Sequence, residues 1–147
     1  MIHNPTEPIH TLEHRLERLG PELAEYLCSV EGERLENLEV SQTLHRPFSQ
    51  VVFLKAITTK TERSLVMKTV VHHPLTKATT QSENQAVVEF NILSKVYPQF
   101  QKVENCSVPR PIVVIPEIET YVMEFVEGLE LAHEFRYLRH FSSEKKF

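Results

Sequence analysis

Ser64-Leu65-Val66-Met67-Lys68-Thr69-Val70-Val71 is the stretch from which the rest of the chain can be read. Apart from Ser64 and Lys68, every residue in it is apolar or β-branched. That is the make-up of a strand buried on at least one face. A lysine in its middle is costly unless the ammonium reaches a partner or a ligand. Two later stretches offer partners. One is a helical pattern carrying Glu89. The other is the strand-like run Thr120-Tyr121-Val122-Met123-Glu124-Phe125-Val126-Glu127-Gly128, which ends in an acidic bend closed by glycine. A strand cation, a helix carboxylate and a second strand ending in such a bend have the form of the upper half of a nucleotide-phosphate site.

On the amino-terminal side of the lysine strand, Val51 to Ile57 reads as a second strand. The polar link from Thr58 to Arg63 joins the two as a hairpin. Leu35 to Leu44 mixes alternation with charge and reads as a first strand, separated from the second by a turn over residues 45–50. Short links between three successive strands predict an antiparallel meander. Further upstream, Leu12, Leu16 and Leu19 recur at helical spacing. Gly20-Pro21 predicts a break, and Glu22 to about Val30 a second helix stopped by Gly32. Both helices are expected to pack outside the main sheet, and residues 1–8 to form a disordered tip.

On the carboxyl side, His72 to Gln81 reads as a loop. Ser82, with Gln85 three residues on, has capping-box spacing. Ala86, Val87, Phe90, Leu93, Ser94 and Tyr97 then predict a helix up to Pro98. Val108-Pro109-Arg110-Pro111 is too rich in proline for a central strand. Ile112 to Ile115 and Thr120 to Val126 predict two short strands, and Leu131 to Phe141 a last helix. The fold class is therefore α+β: a five-stranded antiparallel sheet with one long helix packed on it, preceded by amino-terminal helices. The chain divides into an amino-terminal helical segment (1–34), the sheet domain (35–128) and a carboxy-terminal extension (129–147).

The totals exclude several classes. The 147 residues are 41% hydrophobic and 24% charged, with a formal net charge of −4. Nothing in that balance points to nucleic acid or to an anionic membrane. There is no apolar run of about 18 residues, and the start lacks the form of a secretory signal. A cytoplasmic location is expected, with Cys28 and Cys106 as reduced, packed thiols. The histidines, His72-His73 included, lack metal-ligand spacing, so no metal site is expected.

Four features are candidates for chemistry. Lys68 supplies a rigidly held cation of the kind that nucleotide phosphates need; the plain alternative is an edge-strand lysine facing solvent. Glu89, mid-helix, would orient that ammonium and offset its desolvation. Its rival Glu83 sits in the first turn, where the helix dipole alone accounts for it. The run from Met123 to Val126 offers strand-end backbone groups in an apolar slot, which suits adenine. The 45–50 turn, with Ser49 and Arg46, is the candidate phosphate cover, although it lacks the glycine that lets backbone amides approach an anion.

At these residues the chain resembles the amino-terminal lobe of the aminoglycoside-phosphotransferase-like family of the protein-kinase-like superfamily. The resemblance runs from about Val40 to Leu131. It rests on Arg46-Pro47-Phe48-Ser49 before a strand, on Leu65-Val66-Met67-Lys68, on Glu89-Phe90 followed by Ile92-Leu93, on Val108-Pro-Arg-Pro111, and on Tyr121-Val-Met-Glu-Phe-Val-Glu-Gly128. It implies an ATP-binding upper lobe. Lys68 would contact the α- and β-phosphates and Glu89 would orient it. The backbone of Met123, Glu124, Phe125 and Val126 would hold the adenine, and Arg46 and Ser49 would lie over the phosphates. The implied partners are ATP and a small-molecule hydroxyl acceptor.

The family's catalytic and magnesium-binding aspartates lie in a lower lobe after the hinge. This sequence contains no aspartate. Mg2+ is therefore implied only together with a lower lobe, and no catalytic residue is assigned within this chain. The expectation is a fragment carrying the ATP-binding lobe of a small-molecule phosphotransferase, with the lobe and hinge over 35–128 and the start of a truncated carboxy-terminal lobe over 129–147, inactive alone. The alternatives are a non-catalytic kinase-like binding module and an unrelated α+β domain with Lys68 on its surface.

Overall fold

The computed structural model describes residues 8–72 and 84–127. The expected disordered tip, the loop after His72, Ser82, Glu83, Gly128, the helix over 131–141 and the extension from 129 onward all fall wholly or largely outside the described residues.

Helix α1 spans Leu12–Tyr26. Thr11 caps it by accepting the His14 amide at 3.2 Å, the preferred use of a threonine at a helix start. The expected break at Gly20-Pro21 does not occur, and Pro21 lies inside the helix. An interior proline costs about 3 kcal/mol, but here the apolar stripe runs through it in phase. Leu19, Leu23 and Leu27 lie on one line of the helix and are all buried. Burying that stripe outweighs one lost amide donor. The helix widens into a π-helical turn, Leu27–Glu31, and ends at Gly32, whose φ of 66° is left-handed. Glycine adopts that conformation without a Cβ penalty.

Five strands follow: β1 Leu35–Arg46, β2 Ser49–Thr58, β3 Glu62–Val70, β4 Pro111–Ile115 and β5 Thr120–Glu124. They form one antiparallel sheet in the order β1-β2-β3-β5-β4. Strand β4 is therefore an edge, where Pro111 at its first position costs no central ladder bond. β5 stops at Glu124, short of the expected Val126. The turn expected over 45–50 is shorter than predicted. His45 and Arg46 pair with Gln50 and Ser49, leaving Pro47-Phe48 as the connection. Neither of these two residues takes a positive φ, so the turn closes without glycine.

Because side chains alternate across a strand, the register sorts them onto two faces. Val52, Leu54, Ala56, Leu65, Met67 and Val122 form one face, which packs with Leu19, Leu23 and Leu27 of α1 in the main core. The amino-terminal helix is thus a layer of the core rather than an outlying element. Arg15 is buried with it. Its guanidinium donates to Thr69 Oγ1 at 2.6 Å and to Gln50 Oε1, and burial lowers its pKa to about 10.

The opposite face carries Val51, Phe53, Val66, Lys68, Tyr121 and Met123. Helix α2, Gln85–Phe100, lies over it. Its cap is Asn84, which accepts the Val87 amide, rather than Ser82. The helix also passes Pro98, which removes one bond in its last turn, where end fraying makes the loss small. Ala86 is the α2 residue that is fully buried, and the Phe90 ring meets Tyr121 edge-on at 6.4 Å. The helix therefore grips the sheet by its first two turns. Cys28 and Cys106 are free thiols but exposed, not packed as expected. Cys28 lies on the outer side of the π-helical turn whose inner side is Leu27.

Candidate functional site

Lys68 stands in the middle of β3, between Val51 of β2 and Tyr121 of β5. Its alternation with Met67 puts it on the α2 face. The grip of the first α2 turns brings Glu89 over it. Lys68 Nζ donates to Glu89 Oε1 at 3.1 Å. The two side chains are 26% and 28% exposed, so the pair is about three-quarters withdrawn from water yet still reachable by a ligand. The remaining carboxylate oxygen, Glu89 Oε2, is buried and accepts no hydrogen bond from the described residues. It holds further acceptor capacity directly beside the ammonium.

Tyr121 completes this group, and sequence reasoning missed it. It is buried. Burial, and then the negative charge of Glu89, push its hydroxyl above the ordinary range. It therefore stays protonated beside the carboxylate. Its assignment needs the register Lys68↔Tyr121, which a single strand pattern does not contain.

Ser49 and Lys68 share a face, because Ser49 is two positions before Val51, the direct neighbour of Lys68. Ser49 is buried at the head of β2, opposite Val70, and pairs with Arg46 across the hairpin. Both expected residues are thus ladder members rather than parts of an open loop. The Phe48 carbonyl accepts the Val71 amide at 2.9 Å, which ties the hairpin tip to the end of the lysine strand.

At the other end of β3 the expected adenine run divides. Met123 lies opposite Val66, on the lysine face. The Glu124 side chain points to the other face, where Arg110 holds it at 2.6 Å, so this residue offers the cleft only its backbone. The Glu124 amide donates to the Arg110 carbonyl at 2.9 Å and the Phe125 amide to the Ser64 carbonyl at 3.0 Å. The Val126 amide has no backbone partner among the described residues. The Phe125 ring meets Phe53 edge-on, with centroids 5.9 Å apart. Both rings line a cleft of about 440 Å³ together with Ser41, Gln42 and Ser64. That volume falls within the range of small-molecule sites.

Along the lysine face lie Ser49 at the head of β2, the Lys68–Glu89 pair in the middle and the Phe53–Phe125 cleft toward the other end, a cleft lined by neither Lys68 nor Glu89. Val126 lines a separate pocket with Tyr97 and Phe100. His72 pairs instead with Glu119, Nε2 to Oε2 at 2.6 Å. Among the described residues no group of three or more histidines, cysteines and carboxylates is placed to hold a metal ion. None of the described helices is long and apolar enough to cross a membrane. Comparisons with family models, with curated proteins and with solved structures find no match.

Proposed function

We propose that this chain is the ATP-binding upper lobe of a small-molecule phosphotransferase of the aminoglycoside-phosphotransferase-like kind. The observation that carries the reading is the Lys68–Glu89 contact of 3.1 Å on the face of a five-stranded sheet. A carboxylate fixes a long, mobile side chain and lowers the cost of its partial burial. The ammonium then stands ready as a positioned charge for the α- and β-phosphates. The backbone of Met123 to Val126 would receive the adenine edge, with Phe53 and Phe125 flanking the base. Ser49 and Arg46 would lie toward the phosphates.

Phosphoryl transfer itself needs a group to orient the acceptor hydroxyl and carboxylates to hold Mg2+. The sequence has no aspartate, and the described residues present no metal-holding cluster. The described residues do not fit Mg2+. The chain's own part is to bind and orient ATP, and transfer to a small-molecule hydroxyl would require a lower lobe that supplies those groups.

Calorimetric titration of the full chain with ATP tests this. Saturable binding by the wild type, weakened at least tenfold in Lys68→Met, is expected, since each tenfold step corresponds to about 1.4 kcal/mol. No binding by either protein, or equal binding by both, would reject it.

A further inference from the structure

On the face away from Lys68, four charged side chains close a ring. Arg110 Nη2 donates to Glu31 Oε1 and to Glu124 Oε1, each at 2.6 Å. Arg63 Nη2 reaches Glu31 Oε2 at 3.3 Å, and Arg63 Nη1 lies 4.0 Å from Glu124 Oε1. Each carboxylate therefore touches both guanidinium groups. Glu33 extends the ring, accepting from Arg63 Nε at 2.9 Å and from Thr61 Oγ1 at 2.9 Å. The four ring members are 20% to 34% exposed, so water screens them only in part. Burial lowers the Arg110 pKa, but its hydrogen bond to Glu31 and the charge of Glu124 outweigh burial and raise it overall.

The ring spans four places in the chain. Glu31 closes the π-helical turn at the end of α1. Arg63 is the second residue of β3, one residue before Ser64, whose carbonyl takes the Phe125 amide. Arg110 sits between two prolines, which restrict its backbone, and its carbonyl takes the Glu124 amide. Glu124 ends β5. The side chain of the strand end beside the aromatic cleft is therefore held by Arg110 and Arg63, which Glu31 at the end of the amino-terminal helix holds in turn. Its backbone is held by Arg110 itself and by Ser64, the neighbour of Arg63.

We propose that Arg110 and Glu31 are positioning residues for the nucleotide site: the ring transmits the docking of α1 to the backbone of residues 124–126 and so sets how firmly that backbone holds a base. This rests on the ATP-binding reading. Neither residue lines the aromatic cleft or belongs to the Lys68 pair, and their effect would be exerted through Glu124.

The test is amide hydrogen exchange by NMR on the full chain, alongside ATP titration, for wild type, Glu31→Gln and Arg110→Lys. Glu31→Gln keeps shape and removes one charge of the ring. Arg110→Lys keeps the charge and loses the fork that spans two carboxylates. Both variants are expected to accelerate exchange at the Glu124 and Phe125 amides by at least about fivefold, the lower end of ordinary coupling between sites. Exchange at Val52, in the middle of the sheet, should stay at its wild-type rate, and ATP affinity should fall by a similar factor. Unchanged exchange at 124 and 125, or equal acceleration at Val52, would overturn the proposal. If wild type fails to bind ATP, the nucleotide reading fails and the functional half of the proposal with it, whereas the exchange rates still decide whether the ring holds the strand end.

Discussion

Lys68 Nζ and Glu89 Oε1 lie 3.1 Å apart although a strand, a connection and the start of a helix separate them in the chain. The contact joins the two layers that meet over the candidate site. It is partly exposed, so its direct contribution to folding is small, about 1 kcal/mol or less. Its value lies in fixing the ammonium. Glu89→Gln should therefore leave the urea midpoint nearly unchanged while weakening ATP binding about tenfold. In a double-mutant cycle with Lys68→Met, the two losses should not add, with a coupling of about 0.5–3 kcal/mol. Additive losses would mean that the residues act separately.

The amino-terminal helix shares the core. Leu23 is fully buried against the sheet, so Leu23→Ala should destabilise the chain by about 2–5 kcal/mol. Val30 is 60% exposed, on the far side of the π-helical turn. Val30→Ala should stay within about 0.5 kcal/mol of wild type. Equilibrium urea unfolding of the two variants checks the contrast, and equal effects would place the helix outside the core.

Stability should fall on acidification through Glu33. Its hydrogen bond from Arg63, ahead of the opposing effect of burial, holds its pKa below the usual 4.5. A carboxylate with a depressed folded-state pKa contributes stability that is present above its unfolded-state pKa. That contribution is lost as pH falls from there through the folded-state pKa. Wild type should therefore lose stability more steeply than Glu33→Gln below the unfolded carboxylate range, and the two curves should run parallel at higher pH. Urea midpoints measured across that acidic range would show it, and identical slopes would remove Glu33 from the account.

The sheet and its central pair were legible in the sequence because both depend on short periods. Alternation around Lys68 gives the strand, and 3.6-residue spacing around Glu89 gives the helix. Together they place a cation and a carboxylate on facing surfaces. The continuity of α1 was hidden by Pro21, since local propensity argues for a break and only the buried stripe of Leu19, Leu23 and Leu27 overrides it. The tight Pro47-Phe48 turn was hidden because the extension of β1 is set by pairing with β2, not by its own weak alternation. Tyr121 and the ring of Glu31, Arg63, Arg110 and Glu124 depend on register and on distant contacts. Arg110 and Glu31 are 79 positions apart, and no local pattern announces such a pair.

The most direct measurement asks which lysine faces the phosphates. An acyl phosphate of ATP carries its reactive carbonyl on the terminal phosphate. A nearby amine attacks that carbon, forms an amide and releases ATP. With the full chain treated at low reagent concentration and mapped by peptide mass spectrometry, Lys68 should be the residue acylated, and excess ATP should suppress the modification. Labelling spread over surface lysines such as Lys55 and Lys95, indifferent to ATP and sparing Lys68, would contradict the account.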